Sequence, residues 1–258
     1  MTSILFEIKN SIAFITLNRP EKYNAFNRQM ALLLQEKLDE CEKNISVRCV
    51  YITGAGKAFC AGQDLSEVVD PNGPGMEKIL LEHYNPIVTK IRNINKPVLA
   101  VVNGVAAGAG ANIALCCDVV IASENASFIQ AFSKIGLIPD SGGTYFLPRL
   151  IGFQKASALM MLGDKIPAIE AEKIGLIYKY FPEETFISEA EKIAITLSQL
   201  PTKGLAFTKQ ALNKSLEQNF EEQLQTENSF QQKASSTNDF KEGVSAFLEK
   251  RNANFKGD

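Results

Sequence analysis

Residues 96–110, KPVLAVVNGVAAGAG, give the strongest indication of the fold. The run from Pro97 to Val102 is apolar throughout, which is typical of a strand buried on both faces of a parallel sheet. The glycine- and alanine-rich residues 104–112 follow this strand and lead into a predicted helix. Small residues at such a junction let a ligand approach backbone N–H groups. Tight packing of helix against strand through glycine is the alternative, and this stretch alone leaves both open.

Strands and helices alternate on the N-terminal side of this stretch. A hairpin is predicted over residues 4–15, a helix capped by Asn27 follows, and a strand is predicted over 47–52. We expect a helix over 76–95, kinked at Pro86. A further apolar strand is predicted over 118–123. This alternation predicts a layered α/β core.

Helical spacing dominates the chain after Pro148. The predicted helices span residues 153–162, 167–174, 184–199, 204–216, 219–235 and 239–249. We place a domain boundary near residue 200, with a core over residues 1–200 and a helical C-terminal region over 201–258.

The composition excludes several classes of function. The 258 residues carry 27 Lys and Arg against 29 Asp and Glu, a net charge of −2, which argues against nucleic acid as the main partner. His83 is the one histidine, so a His-rich metal site is excluded, and we expect it at the surface or at the rim of a pocket. The five cysteines lack C-x-x-C spacing and indicate core thiols in a reducing compartment.

The sequence also contains no apolar run of 18 residues, and its first residues alternate between apolar and charged side chains. We therefore expect a cytoplasmic protein without a membrane partner.

Two further segments carry groups suited to catalysis. In residues 59–65, FCAGQDL, Gly62 would free the N–H of Gln63 to point into a cleft, and Cys60 reads as a packed thiol rather than a nucleophile. In residues 136–144, GLIPDSGGT, Asp140 lies among apolar and glycine residues, where it is either an acid–base group or a helix N-cap. Together with the stretch at 104–112, these segments suit proton transfer beside a carbonyl whose oxyanion is held by backbone donors.

Four motifs resemble the crotonase (enoyl-CoA hydratase/isomerase) superfamily. They are NRPEKYNA at 18–25, FCAGQDL at 59–65, the stretch at 96–110 and GLIPDSGGT at 136–144, and the similarity continues to the tail at 242–251. The resemblance implies an α/β fold, the crotonase (ClpP-like) spiral of ββα units with a helical C-terminal trimerisation region. It also implies an acyl-CoA substrate, no metal, no cofactor apart from the coenzyme A of the substrate, and a homotrimer or dimer of trimers.

The resemblance assigns roles to particular positions. It implies an oxyanion hole formed by the backbone N–H groups of Gln63 and Ala109. Besides Gln63 and Ala109, the residues that would contact coenzyme A and the acyl group are Lys22, Ala25, Ala61, Asp64, Leu65 and Phe132. We expect residues 66–75 to form a mobile loop that lines the acyl pocket.

The sequence departs from the hydratases of this superfamily at two positions. Asn112 and Phe132 occupy the places of the two glutamates that activate water, whereas Asp140 occupies the place of the single carboxylate of the isomerases. The chain contains no Trp, which disfavours dehalogenation, and it resembles most the isomerases of phenylacetate catabolism. We therefore expect an acyl-CoA isomerase with Asp140 as catalytic residue. A hydratase or thioester hydrolase of the same fold and a non-catalytic acyl-CoA-binding member remain the alternatives.

Overall fold

The computed structural model describes residues 2–258, which contain ten strands in two sheets. The strands are β1 (Ile4–Lys9), β2 (Ile12–Leu17), β3 (Cys49–Gly54), β4 (Ala58–Cys60), β5 (Val98–Val102), β6 (Val105–Ala107), β7 (Val119–Ser123), β8 (Ser127–Ile129), β9 (Lys165–Pro167) and β10 (Lys179–Phe181). The larger sheet has the order β1-β2-β3-β5-β7-β10 and the smaller one the order β4-β6-β8-β9. Only the pairs β1–β2 and β8–β9 are antiparallel.

The two sheets are built by three successive turns of the chain. In each turn one strand joins the larger sheet and the next joins the smaller one, as β3 and β4, β5 and β6, and β7 and β8 do. Helical segments follow each pair before the chain returns to the sheets. This arrangement confirms the predicted spiral of ββα units.

Twelve α-helices surround and extend the sheets in the described residues. They are α1 (Arg28–Lys43), α2 (Leu65–Val68), α3 (Gly75–Lys78), α4 (Asn85–Asn93), α5 (Ala109–Leu115), α6 (Gly143–Ile151), α7 (Phe153–Leu162), α8 (Ala168–Lys173), α9 (Glu183–Gln199), α10 (Thr202–Ser215), α11 (Phe220–Ser235) and α12 (Asn238–Glu249). Asn27 caps α1 as predicted, since its side chain accepts a hydrogen bond from the N–H of Met30 at 3.0 Å.

Strand β5 lies at the centre of the core, as the apolar stretch predicts. All five of its residues are buried. Val98, Ala100 and Val102 face the main core, whereas Leu99 and Val101 face a second cluster that packs against α9. Burial on both faces explains why this strand shows no alternation of polar and apolar residues.

The segment predicted as one kinked helix over 76–95 is a helix interrupted by a π-helical turn. Helix α3 continues into π-helical residues Ile79–Tyr84, and α4 then begins at Asn85. Pro86 has no N–H to donate to the carbonyl of Glu82, and the side-chain amide of Gln35 donates to that carbonyl instead, at 2.7 Å. The break therefore precedes Pro86 and turns the side chain of Tyr84 inward.

The strand predicted over 47–52 begins and ends two residues later than expected. In the structure β3 runs to Gly54, because Thr53 and Gly54 continue the parallel pairing with Thr16 and Leu17. The polar side chain of Thr53 is accommodated by a hydrogen bond from its hydroxyl to the carbonyl of Val101 at 2.8 Å.

The C-terminal helices pack beside the sheets and are anchored through α10. Lys209 of α10 is buried, and its ammonium pairs with Asp118 at 2.8 Å and donates to the carbonyl of Ile91 at 2.6 Å. By contrast, Phe220, Phe247 and Leu248 on the last two helices are 71–83% exposed. The boundary at residue 200 and the role of this region in assembly stay predictions.

No helix within residues 2–258 combines the length and the apolar character that crossing a bilayer requires.

Candidate active site

A cavity of about 380 Å³ lies where α5 meets the segment after β4 and the loop that carries Asp140. Its wall is mostly apolar, which suits a small organic group. The lining residues are Ala61, Gly62, Gln63, Leu65, Val68, Met76, Ile79, Tyr84, Gly108, Ala109, Ala131, Phe132, Ile135, Leu137 and Asp140. The structure thus brings together six of the predicted site residues, namely Ala61, Gln63, Leu65, Ala109, Phe132 and Asp140.

Two glycines let the two predicted donor segments approach each other. Gly62 has a φ of +93°, and a Cβ on it would lie 3.0 Å from the carbonyl oxygen of Ala107 and 3.5 Å from the nitrogen of Ala109. Gly108 also lies in the left-handed region, with a φ of +51°. A side chain at Gly62 would therefore separate Gln63 from Ala109, which explains the glycine there.

The backbone N–H groups of Gln63 and Ala109 border the cavity. Neither donates a hydrogen bond to any acceptor within residues 2–258, although the neighbouring N–H groups of Gly108 and Asp64 do. Unpaired N–H groups at the wall of a largely apolar cavity can stabilise an oxygen that gains negative charge. This pair is therefore the candidate oxyanion hole.

Asp140 is the one carboxylate on the cavity wall. Burial raises the pKa of its side chain above the ordinary value of 3.8, while a hydrogen bond from the Ser141 hydroxyl at 2.8 Å opposes that rise. The alternative interpretation of Asp140 as an N-cap is wrong, because Gly142 caps α6 and no side chain bonds to its first turn. The carboxylate of Asp140 is therefore left available for proton transfer.

A buried pair of amides holds the Asp140 loop. The side-chain amide of Asn112 donates to the main-chain carbonyl of Asp140 at 2.9 Å, and Gln130 donates to the Asn112 side-chain oxygen at 2.8 Å. Gly143 packs so closely that a Cβ there would lie 2.4 Å from the Asn112 amide nitrogen. Asn112 therefore serves to position the loop in this structure.

Tyr84 is a site residue that the sequence analysis missed. It lies on the cavity wall, and its hydroxyl donates to the side-chain oxygen of Gln63 at 2.9 Å. In a regular helix over 76–95 the side chain of Tyr84 would lie on a different face of the helix. The π-helical turn therefore places it on the cavity wall. The indication in the sequence is Pro86 within a predicted helix, because a proline interrupts the helical hydrogen bonds. Such an interruption can take the form of a π-helical turn, and these turns frequently occur at functional sites.

Three predicted coenzyme A contacts lie outside the cavity wall. Asp64 is buried in an ion pair with Arg19 at 2.9 Å and caps α2 through Ser66. Hydrogen bonds from Ser66 and Arg19 outweigh burial and lower the pKa of the Asp64 carboxyl. Lys22 is exposed and Ala25 is buried close to it. Contact of these three residues with coenzyme A stays a prediction.

Of the loop predicted over residues 66–75, Val68 alone lines the cavity, and the other lining residues of this part of the chain flank the loop. Leu65 and Val68 of α2, and Met76 and Ile79 after it, line the cavity, whereas residues 69–75 do not. The mobility of the loop stays a prediction.

Two residues considered for chemistry are inert in the structure. Cys60 is buried, and burial raises the pKa of its thiol to about 12, so it is a packed thiol as expected. The expected position of His83 at the surface or rim is wrong, because its side chain is fully buried beside Arg28 and does not line the cavity.

A second cleft, of about 500 Å³, lies between the start of β7, residues 175–178 after α8, and α9. Its one charged residue is Asp118, whose oxygens are already bonded to Arg92, Lys209 and the N–H of Val98. The groups for chemistry therefore lie in the smaller cavity. Within residues 2–258 no three His, Cys, Asp or Glu side chains are grouped to bind a metal ion.

Known proteins are similar to this chain in sequence and in architecture. Residues 7–258 match the enoyl-CoA hydratase/isomerase family. The chain is 44% identical to 1,2-epoxyphenylacetyl-CoA isomerase of Escherichia coli, over 100% of this chain and 99% of the relative. It is 42% identical to a probable enoyl-CoA hydratase of Rhodobacter capsulatus, over 99% and 98%.

Solved structures agree with the sequence comparison. A crystal structure of a putative enoyl-CoA hydratase/isomerase from Mycobacterium abscessus superposes with a TM-score of 0.92 at 34% identity, covering 98% of both chains. The motifs, the double-sheet spiral and these relatives lead to one conclusion: the chain belongs to the enoyl-CoA hydratase/isomerase (crotonase) family and is an acyl-CoA enzyme of that family.

Proposed function

We propose that the protein is an acyl-CoA isomerase in which Asp140 moves a proton on the acyl group. The observation that carries this proposal is that Asp140 is the one carboxylate among the residues lining the cavity that also contains the free N–H groups of Gln63 and Ala109. One acid–base group suffices for an isomerisation, because the proton that is removed is also returned.

In the proposed mechanism the thioester oxygen accepts hydrogen bonds from the N–H groups of Gln63 and Ala109. The Asp140 carboxylate removes a proton from a carbon that is acidified by the thioester, and the electron pair of that C–H bond delocalises onto the thioester oxygen. The resulting enolate is stabilised by the two donors. The protonated Asp140 then gives the proton to another carbon of the conjugated system, so the product is an isomer of the substrate.

For the substrate we propose 2-(1,2-epoxy-1,2-dihydrophenyl)acetyl-CoA, as in phenylacetate catabolism, together with straight-chain enoyl-CoA esters. The 44% identity to the Escherichia coli 1,2-epoxyphenylacetyl-CoA isomerase over the full chain supports this choice. The apolar residues Leu65, Phe132 and Leu137 on the wall suit a ring or an alkyl chain. The reaction is redox-neutral and needs no cofactor apart from the coenzyme A of the substrate.

Hydration is the second candidate, since several relatives are named as hydratases, the Rhodobacter capsulatus protein among them. Water addition requires a group to activate water and a group to protonate carbon. In this chain Phe132 offers neither, and Asn112 is bonded to Asp140 and Gln130. The side chains at these two positions therefore favour isomerisation over hydration.

Product analysis tests the proposal directly. The purified protein would be incubated separately with the ring epoxide of phenylacetyl-CoA, with a 3-enoyl-CoA ester and with its 2-enoyl isomer, and the products would be separated by chromatography with mass detection. We expect products of unchanged mass from all three. A mass gain of one water from an enoyl-CoA indicates a hydratase, release of free thiol indicates a hydrolase, and binding without turnover indicates a non-catalytic member. Each of these three results contradicts the proposal.

We also propose that the protein works in the cytoplasm as a homotrimer or a dimer of trimers. The exposed apolar faces of α11 and α12 support assembly, because Phe220, Phe247 and Leu248 would otherwise be left in water. The five cysteines are all buried and free, as suits a reducing compartment.

A further inference from the structure

The side chain of Gln63 is held at both ends by hydrogen bonds. Its amide oxygen accepts from the hydroxyl of Tyr84 at 2.9 Å, and its amide nitrogen donates to a carboxylate oxygen of Glu67 at 2.8 Å. The other Glu67 oxygen accepts from the backbone N–H of Arg28 at 2.9 Å, which ties the chain of bonds to the start of α1. A carboxylate accepts only, so Glu67 fixes which end of the Gln63 amide faces Tyr84.

The backbone on both sides of Gln63 is paired with Phe26, since the N–H of Asp64 donates to the carbonyl of Phe26 at 2.8 Å. The carbonyl of Gly62 accepts from the N–H of Phe26 at 2.7 Å. Because this carbonyl and the N–H of Gln63 belong to one planar peptide group and point in opposite directions, the bond directs the Gln63 N–H toward the cavity. Gly62, with its φ of +93°, adds no side-chain restraint of its own, so the side chain of Gln63 is the remaining group that can restrain this peptide.

We infer that Tyr84 and Glu67 are positioning residues, which hold the Gln63 side chain so that its backbone N–H stays aimed at the thioester oxygen. This inference rests on the proposed function, since it assigns the role of oxyanion donor to Gln63. A donor contributes to catalysis only if it lies at about 2.7–3.1 Å from the oxyanion, so a small tilt of the peptide weakens it. We call the hydrogen bonds of Tyr84 and Glu67 to the Gln63 side chain the clamp. The clamp would add these side chains to the two backbone N–H groups that form the oxyanion hole.

Tyr84 could act in another way, by contacting the substrate itself. It lines the same cavity as Asp140. Its hydroxyl proton, however, is already engaged by Gln63. A donor bond to substrate would leave the Gln63 oxygen unpaired, so the positioning role is the one that agrees with the hydrogen bonds observed.

A double-mutant cycle separates the two roles. Tyr84→Phe removes the hydroxyl and keeps the ring that packs edge-on to Phe26 at 5.9 Å, so we expect it to fold. Gln63→Leu removes the clamped side chain and keeps the backbone N–H. Tyr84→Phe should lower kcat about threefold to tenfold, as expected for one lost neutral hydrogen bond, with little change in KM. Gln63→Leu also loses the bond to the Glu67 carboxylate and should lower kcat at least as much. The double variant should be no slower than the slower single variant.

Two results would overturn the inference. Multiplicative losses in the double variant would mean that Tyr84 acts on the substrate independently of Gln63, and unchanged kcat in Tyr84→Phe would mean that the clamp does nothing. Tyr51→Phe is the matched control, because Tyr51 is also buried but packs against Phe14, away from the cavity. Its kcat should equal that of the wild type.

An infrared measurement tests the clamp without turnover. Hydrogen bonds from the oxyanion hole lower the C=O stretching frequency of a bound thioester, which can be recorded with saturated butyryl-CoA carrying a ¹³C-labelled carbonyl. We expect the lowering to be smaller in Tyr84→Phe and Gln63→Leu, by similar amounts, and unchanged in Tyr51→Phe. Equal frequencies in all four proteins would refute the clamp. If the wild type isomerises nothing yet shows these differences, the proposed reaction fails and the clamp stands.

Discussion

Asp140→Asn is the substitution that tests the proposed mechanism most directly. Asparagine has the size of aspartate, and its side-chain oxygen can still accept the hydrogen bond that the Ser141 hydroxyl donates. The main-chain carbonyl of residue 140 accepts hydrogen bonds from the Asn112 side chain at 2.9 Å and from the N–H of Gly143 at 2.8 Å. These bonds do not involve the side chain that is changed. The substitution therefore removes the capacity to take a proton and little else.

The expected loss of activity follows from the role of the carboxylate. Removing a general base lowers the rate by about 10²–10⁴, which corresponds to about 2.7–5.4 kcal/mol of transition-state stabilisation. The backbone donors of Gln63 and Ala109 are untouched, so binding of a saturated acyl-CoA, measured by calorimetry, should change little. A kcat above about a tenth of the wild-type value would refute Asp140 as the base, because loss of a general base leaves far less.

The same variant has an expected effect on stability, with a sign that can be derived. Burial raises the pKa of the Asp140 carboxyl above 3.8. Between 3.8 and the raised value the folded state binds more protons than the unfolded state, so the free energy of unfolding decreases as pH rises through this window. At neutral pH the ionised, desolvated carboxylate is therefore destabilising. Asp140→Asn should unfold at the same or a slightly higher temperature in calorimetry, and a clear drop would indicate a structural role instead.

Three other predictions concern the loop, the C-terminal helices and assembly. Asn112→Ala should lower the free energy of unfolding in urea by about 1–3 kcal/mol, since it leaves the Gln130 amide unpaired. Asn112→Asp should lower kcat below the wild-type value, because a carboxylate cannot donate to the Asp140 carbonyl. Lys209→Met should cost about 3 kcal/mol of stability, because it removes one cation from the buried Asp118 and leaves it with Arg92 and the N–H of Val98. The control Lys192→Met breaks an exposed pair with Glu189 and should cost under about 0.5 kcal/mol. Sedimentation should give three or six times the mass of the 28.3 kDa chain. Phe247→Glu should shift the measured mass toward that of the monomer, whereas the exposed control Ile45→Glu should not. A wild-type monomer at micromolar concentration would contradict the assembly.

The sequence was sufficient to predict the parts of the fold that depend on local patterns. Unbroken apolar runs identify β5 and β7, because strands buried on both faces have no polar positions. Glycine at 62 and 108 identifies the points of close approach beside the candidate oxyanion hole, since both residues have positive φ in the structure. These features depend on residues adjacent in the chain, so a single sequence contains them.

Features that depend on distant partners could not be predicted in the same way. The π-helical turn before Pro86 requires the side chain of Gln35 on another helix to satisfy the carbonyl of Glu82. The burial of His83 follows from the same turn, which directs the side chain toward Arg28 rather than toward water. Aspartate is a strongly favoured N-cap residue, but the left-handed backbone of Ser141 and Gly142 moves the helix start past Asp140, whose carbonyl is held by Asn112.

The amide at position 112 couples the shape of the site to its chemistry. Asn112 donates a hydrogen bond to the carbonyl of Asp140. An ionised glutamate or aspartate at position 112 could not donate this bond, because its carboxylate oxygens only accept. A second carboxylate near Asp140 would also raise the pKa of both groups, because like charges disfavour ionisation. An aspartate that must be ionised to remove a proton is therefore better served by a neutral donor at 112. In the proposed mechanism, a neutral residue at position 112 keeps the single carboxylate of Asp140 ionised and able to work as a base. The same Asn112 also holds the loop that places Asp140 on the cavity wall.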